Sequence, residues 1–221
     1  MAFYIDSADH SLIEELWVTG VFQGVTTNPT ILYRAGLDHS DLPDLYAWLM
    51  ELGVETFYAQ VIGTSTEAML TSAESLRSLG PIVVKVPATF NGVKAARILV
   101  QDGARVLLTA VYHPVQALLA RDLGVHGVAP YVGRMTDAGR PGLEAVLGMQ
   151  QAIGAEPTRI LAASLRSPDD IASLAAAGIP DFTVGEAVAR TMLDDDLTVR
   201  AVEEFESATA SGTVDLGVFS A

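Results

Sequence analysis

The chain has 221 residues, half of them hydrophobic, and a net charge of −14. The apolar content is enough for a sizeable core, whereas the acidity argues against nucleic acid and anionic membranes as partners, because both attract basic patches. The chain has no cysteine, which excludes disulfides and cysteine-ligated metals, and no apolar run approaches the ~18 residues that span a bilayer, so we expect a soluble, cytoplasmic protein.

Short apolar runs alternate with amphipathic segments along the whole chain. Eight runs are predicted as strands: 3–5, 20–25, 56–62, 82–86, 106–110, 127–131, 159–163 and 181–184. Helical segments are predicted to begin near Ala8, Pro29, Ser65, Asn91, Pro114, Gly139, Pro168 and Glu186. An additional helix is predicted at about 197–208, and the apolar tail at 212–221 suggests that the C-terminal region packs on a neighbouring subunit.

Eight strand–helix units in one chain of this length predict a single (β/α)8 TIM barrel domain spanning residues 1–221, with the additional C-terminal helix. A doubly wound open sheet is the alternative. Such a sheet normally carries a glycine-rich phosphate loop, and neither of the two common loop motifs occurs here.

One of only two lysines, Lys85, lies inside the apolar run of the fourth predicted strand. Burial of an unpaired ammonium is costly and lowers the pKa of the amine, and a neutral lysine attacks carbonyl compounds to form a Schiff base. The structural alternative is a lysine at a strand end that extends its ammonium to water. Lys94 lies at a helix start and is interpreted as a surface lysine.

Polar residues follow most of the predicted strands, at the barrel end where active sites form. These residues are Asp6, Thr26, Thr27, Asn28, Gln60, Lys85, Thr109, Tyr131, Arg134, Ser164 and Arg166. Each has a structural explanation when taken alone: helix caps or turns for the residues after the first two strands, satisfied core groups for others, and surface charges for the arginines. Together they are predicted to surround Lys85.

This set suits the cleavage of a carbon–carbon bond through an imine. A ketone bound to the lysine loses water to give a protonated imine, which accepts the electrons of the adjacent bond as that bond breaks. We expect Gln60, Thr109 and Tyr131 to hold a water that shuttles protons, and Tyr131 or Asp6 to act as the base.

The remaining polar residues are assigned to substrate binding. They are Thr26, Asn28, Arg134, Ser164 and Arg166. Asn28 is expected to hydrogen-bond substrate hydroxyls together with Asp6, and Arg134, Ser164 and Arg166 are expected to form a phosphate site. No metal or other cofactor is expected, because the chemistry needs none and the histidines at positions 10, 39, 113 and 126 lack a ligand spacing.

Several segments carry a resemblance to a known family. The segments GVTTNPTI at 24–31, VVKVPAT at 83–89, TAVY at 109–112, APYVGR at 129–134 and LAAS at 161–164 resemble the small transaldolases and fructose-6-phosphate aldolases, in order and at the family's spacing. The resemblance implies a class I aldolase-type barrel in which Lys85 forms the Schiff base and Asp6 and Asn28 position the substrate. It also implies homo-oligomers, often decamers built from two pentameric rings.

Two reactions occur in that family. Transaldolases transfer a dihydroxyacetone unit to an aldose phosphate, whereas fructose-6-phosphate aldolases release free dihydroxyacetone. The transaldolases usually have glutamate at the position of Gln60, and the larger ones phenylalanine at that of Tyr131, so the pair in this chain favours the aldolase. Arg166 and Leu108 depart from the family pattern and are expected near the far end of the substrate, where they would indicate a different acceptor, including a substrate with another anionic group such as a sulfonate.

Two further hypotheses stand beside these. One is an inactive barrel that binds sugar phosphates, which the intact set of polar residues argues against. The other is an aldolase of the deoxyribose-phosphate type, which fits the Asn28-Pro29 element poorly.

Overall fold

The computed structural model describes residues 1–210, and its eight parallel strands close into a barrel in sequential order. The strands are β1 (Ala2–Asp6), β2 (Phe22–Thr26), β3 (Thr56–Gln60), β4 (Val83–Pro87), β5 (Val106–Val111), β6 (Gly127–Pro130), β7 (Arg159–Ala162) and β8 (Asp181–Val184). The helices are α1 (His10–Trp17), α2 (Pro29–Arg34), α3 (Leu42–Glu51), α4 (Thr66–Leu79), α5 (Phe90–Gln101), α6 (Pro114–Leu123), α7 (Val132–Asp137), α8 (Gly142–Ile153), α9 (Pro168–Ala176), α10 (Glu186–Leu193) and α11 (Asp196–Ala210). The predicted (β/α)8 barrel with an additional C-terminal helix is confirmed.

Short polar side chains fix several of the points where strand-to-helix loops turn into helices. The side chains of Asp9, Ser65, Thr89 and Ser167 accept hydrogen bonds from the first turns of α1, α4, α5 and α9. Because these caps satisfy amide groups that the helix itself leaves unpaired, they end the preceding loop at a defined residue. Because each of these helices follows a strand, its capped start lies at the same end of the barrel as the carboxyl ends of the strands.

Alternate residues of each strand face two different layers of the core. On β4, Val83 packs inside the barrel, whereas Val84 and Val86 pack between the strands and the helices. Lys85 shares the inward side with Val83. On β5 the same alternation sends Leu108 into the outer layer, so the expectation that Leu108 lies near the substrate's far end is wrong.

The structure has two helices where the sequence predicts one, both after β2 and after β6. A 3-10 turn (His39–Asp41), capped by Asp38, leads into the unpredicted α3. After β6, the unpredicted α7 precedes Gly139, whose φ is +72°, so this glycine follows a helix end where the prediction placed a helix start. Gly20, with φ +69°, likewise delays the start of β2 to Phe22.

The additional helix α11 has no buried residue. Its apolar side chains Leu197, Val202 and Phe205 are 73%, 50% and 66% exposed. The predicted apolar tail at 212–221 lies outside the described residues. Among residues 1–210, no helix combines the length and the apolar character that a membrane crossing requires.

An ion pair with one buried partner lies at the amino-terminal end of the barrel. The Arg159 guanidinium donates two hydrogen bonds of 2.6 Å to the carboxylate of Asp181, one to each oxygen. The Asp181 side chain is 3% exposed and that of Arg159 is 46% exposed. This pair lies at the end of the barrel opposite to the carboxyl ends of the strands. In barrels of this kind, residues at the amino-terminal end contribute to stability.

Candidate active site

Lys85 lies in the interior of the barrel and is 3% exposed. Its Nζ donates a hydrogen bond of 2.7 Å to the carbonyl of Thr27, which follows β2, and the side chain lines a cavity of about 280 Å³. Burial lowers the pKa of Lys85 from its ordinary value, and the charge of Asp6 opposes part of that shift. The amine is therefore largely withdrawn from water, which favours its neutral form, while its side chain lines a cavity that a small molecule can enter.

Asp6 is held by a chain of two threonine hydroxyls. Thr26 Oγ1 donates to Asp6 Oδ1 at 2.6 Å, and the same Oγ1 lies 2.6 Å from Oγ1 of Thr183 on β8. Asp6 does not cap the first helix, since Asp9 is the N-cap of α1. Thr26 is fully buried and lies outside the lining of the cavity, so it connects to the site through Asp6.

Tyr131 projects into the cavity from the loop between β6 and α7. Its hydroxyl lies 2.9 Å from Oγ1 of Thr109, Tyr112 packs edge-on against its ring, and the Arg134 guanidinium lies 4.8 Å from its ring centroid. Burial raises the pKa of Tyr131, and the hydrogen bond between its hydroxyl and that of Thr109 opposes the rise. The phenol is therefore a proton donor near neutral pH. Thr109 is fully buried behind it.

Arg134, Ser164 and Arg166 meet where the β6 and β7 loops approach each other. The Gly133 amide donates at 2.7 Å to the Ser164 carbonyl, and a Cβ on Gly133 would lie 2.4 Å from that oxygen, so only glycine permits the approach. Ser164 has φ +57°, a strained backbone for a residue with a side chain. Arg166 pairs with Asp137 of α7, a contact between exposed side chains.

Asn28 and Gln60 contribute to the site differently. Asn28 Oδ1 accepts from the amides of Thr30 and Ile31, which confirms the cap interpretation, while the residue also lines the Lys85 cavity. Gln60 pairs in register with Lys85 across β3 and β4, but it lines a separate cavity of about 240 Å³ together with Asn28. The structure therefore does not bring Gln60 into the lining of the Lys85 cavity.

The cavity brings together seven of the ten residues to which the sequence analysis assigns a catalytic or binding role, a set that leaves out Thr27. They are Asp6, Asn28, Lys85, Tyr131, Arg134, Ser164 and Arg166. Sequence reasoning missed Thr183 and Arg34, which also line it. The signal for Thr183 was the polar alternation of Asp181 and Thr183 in the last strand, whereas Arg34, one turn into a predicted helix, had no signal beyond its charge. In residues 1–210, no three acidic or histidine side chains are arranged to hold a metal ion.

Comparisons with known proteins agree on one family. The model of the transaldolase/fructose-6-phosphate aldolase family matches residues 3–217. A probable transaldolase of Desulforudis audaxviator is 36% identical over 208 residues, which cover 93% of this chain and 95% of that protein. A probable transaldolase of Cereibacter sphaeroides is 32% identical over 210 residues, 94% of either chain.

A likeness among solved structures is more distant. A mandelate oxidase variant with an FMN adduct has a TM-score of 0.59 at 15% identity, covering 87% of this chain and 66% of the oxidase chain. That likeness shows a shared barrel fold and nothing about chemistry.

The barrel has a buried lysine in a cavity at the carboxyl ends of its strands, the end at which barrel enzymes have their active sites. The chain belongs to the transaldolase/fructose-6-phosphate aldolase family, and it is an enzyme of the aldolase or transaldolase class.

Proposed function

We propose that this protein is a class I aldolase that interconverts a ketose phosphate, such as fructose 6-phosphate, with dihydroxyacetone and glyceraldehyde 3-phosphate. Lys85 is the Schiff-base residue. The observation that carries the proposal is the position of its amine, which is buried, is bonded to the Thr27 carbonyl at 2.7 Å and lines a cavity large enough for a small substrate.

The first half of the reaction forms the imine. The neutral Lys85 amine attacks C2 of the ketose and gives a carbinolamine, whose hydroxyl then leaves as water after it accepts a proton. The Tyr131 phenol is proposed as the proton donor. Burial raises its pKa, which keeps it protonated, and its hydroxyl is held 2.9 Å from Oγ1 of Thr109.

The second half breaks the bond between C3 and C4. A base removes the proton of the C4 hydroxyl, the C3–C4 electron pair moves into the protonated imine, and the aldehyde phosphate departs. Protonation of the resulting enamine at C3, followed by hydrolysis, releases dihydroxyacetone and restores the amine. Asp6 and Tyr131 line the same cavity as Lys85 and are the candidates for the base.

Transaldolase activity is the second candidate, and the names of the relatives favour it, since those described above are called probable transaldolases. In that reaction the enamine attacks an aldose phosphate instead of being protonated. Gln60 supports the aldolase, because an amide orients water but does not donate and accept a full proton as a carboxylate does. Its position outside the lining of the Lys85 cavity makes this support indirect.

Arg134, Ser164 and Arg166 are proposed to bind the substrate phosphate, while Asn28 binds hydroxyl groups near the lysine. Asn28 Oδ1 is engaged by the amides of α2, which leaves the amide nitrogen as the group to donate to substrate. We also propose a homo-oligomer, a pentamer or decamer, in which the exposed apolar side chains of α11 pack on a neighbouring subunit.

The test is incubation of the purified protein with fructose 6-phosphate alone, with release of free dihydroxyacetone followed over many turnovers. Sustained release supports the aldolase. A trace of release together with transfer to added erythrose 4-phosphate makes the protein a transaldolase, and sugar-phosphate binding without any turnover identifies an inactive barrel.

Two matched variants test the nucleophile. Borohydride with dihydroxyacetone is expected to add mass irreversibly at Lys85 in the unmodified protein and equally in Lys94→Met, and to leave Lys85→Met unlabelled. Lys94 is an exposed lysine, so its variant controls for surface labelling. Labelling that persists in Lys85→Met, or that is absent from the unmodified protein, contradicts the imine mechanism.

A further inference from the structure

Arg34 lies in the last turn of α2, and its side chain lines two adjoining cavities. One is the Lys85 cavity, and the other is a cavity of about 510 Å³ beside α1 and α10. Asp6, Ile31 and Gly185 line both as well. Arg34 therefore stands at the boundary between the candidate active site and the neighbouring cavity.

The charge of Arg34 has no protein partner within residues 1–210, in contrast to the other two arginines of the Lys85 cavity. Arg166 pairs with Asp137, and Arg134 lies over the ring of Tyr131. A guanidinium that remains charged and unpaired at a cavity wall is available to bind an anion, for which its planar set of donors is suited.

The acidic groups near Arg34 are engaged elsewhere. In the adjoining cavity, Glu15 and Glu186 both pair with Arg190, and Asp9 caps α1. Asp6 accepts the Thr26 hydroxyl. In a chain with a net charge of −14, the lack of a carboxylate partner for Arg34 is therefore not due to a shortage of acids nearby.

The topology places Arg34 across the barrel from Arg134. Arg34 follows β2 and Arg134 follows β6, and strands four apart in a closed barrel of eight are diametrically opposed. Both residues nevertheless line the same cavity of about 280 Å³. The two arginines therefore lie on opposite walls of one cavity.

We propose that Arg34 is a substrate-binding residue that contacts the substrate phosphate from the β2 side of the cavity and makes the enzyme selective for phosphorylated over neutral substrates. This inference rests on the proposed function, because it takes a sugar phosphate as the ligand. It applies equally to cleavage and to transfer, since both reactions place an aldehyde phosphate in this cavity.

The test compares Arg34→Gln, Arg34→Lys and the control Arg97→Gln in the synthetic direction, with dihydroxyacetone as the donor and either glyceraldehyde 3-phosphate or glyceraldehyde as the acceptor. Arg97 is an exposed arginine of α5 outside both cavities. In Arg34→Gln, KM for the phosphorylated aldehyde is expected to rise about tenfold with kcat little changed, as loss of one charge-assisted contact predicts. KM for glyceraldehyde stays constant, and Arg34→Lys is intermediate.

Equal changes for the two aldehydes, or a change no larger than that of Arg97→Gln, overturn the role of Arg34. If dihydroxyacetone and borohydride still label Lys85 in that case, only this inference has failed. If neither the unmodified protein nor any of these variants is labelled, the proposed function has failed instead. If the labelled protein transfers but does not release dihydroxyacetone, the same comparison is made with fructose 6-phosphate as the donor and erythrose 4-phosphate or erythrose as the acceptor.

Discussion

The amine of Lys85 on β4 is tied to the backbone carbonyl of Thr27 after β2, with 2.7 Å between Nζ and the oxygen. A carbonyl accepts a hydrogen bond from an amine in either protonation state, so this contact orients the lysine without adding the negative charge that would raise its pKa. The carboxylate that does raise the pKa is Asp6, and it is outweighed by burial. The balance between these two effects is open to measurement.

Replacement of Asp6 by Asn is expected to move the acidic limb of kcat/KM to lower pH. The free enzyme must hold Lys85 neutral to react, so activity rises as pH increases through the pKa of this lysine. Because the charge of Asp6 raises the pKa of Lys85, removal of this charge lowers that pKa and shifts the acidic limb to lower pH. The measurement is the pH profile of kcat/KM or of borohydride labelling by dihydroxyacetone. The control is Glu14→Gln, an exposed charge change on α1, and an acidic limb at the same pH in all three proteins would refute the coupling.

Replacement of Tyr131 by Phe is expected to lower kcat by about a hundredfold or more, as loss of a general acid does. Labelling of Lys85 at long incubation should persist, since the amine is intact. The matched control is Tyr112→Phe, because this ring packs edge-on against Tyr131 at 5.7 Å and shares its surroundings. Steady-state rates and mass spectrometry together test the assignment, and equal losses in the two variants would reduce Tyr131 to a packing residue.

The buried lysine is also expected to cost stability in a pH-dependent way. Its folded pKa is lowered from the ordinary 10.5, so between the two values the unfolded chain binds more protons and stability rises with pH. Lys85→Met keeps the volume and removes the charge, and should therefore raise Tm most at the acidic end. Thermal unfolding from about pH 6 to pH 10 should show the gain shrinking as the pH approaches 10.5. A gain that is constant across this range would mean an unshifted lysine.

The ion pair at the other end of the barrel is expected to act on stability alone. Arg159→Ala leaves the Asp181 carboxylate buried without its partner and should cost about 2–3 kcal/mol, below the ~3–5 for a fully buried pair, because Arg159 is 46% exposed. Arg77→Ala, whose partner Asp102 is 68% exposed, is the control, at less than about 1 kcal/mol. Urea unfolding measures both, and equal losses in the two variants contradict the argument from burial.

Local signals limited how well the elements could be predicted. The eight strands and most helix starts follow from apolar runs and from polar caps such as Ser65 and Ser167, both of which act over a few residues. The structure adds α3 after β2 and α7 after β6, which were not predicted. After β6 the reason is that Gly139 marks a helix end as readily as a loop before a helix. Leu108 was misplaced because its orientation depends on the alternation of the whole strand.

The sequence by itself determined that the chain is a barrel and that a lysine lies in its fourth strand, since periodicity and the polar ends of the strands are properties of short segments. Only the tertiary structure decided which side chains share a cavity. In it, Lys85 donates a hydrogen bond to the Thr27 carbonyl, Gln60 lines a separate cavity, and Arg34 lies opposite Arg134. These relationships depend on how the barrel closes, because closure brings residues distant along the chain within reach of one small molecule, and no local pattern encodes that distance.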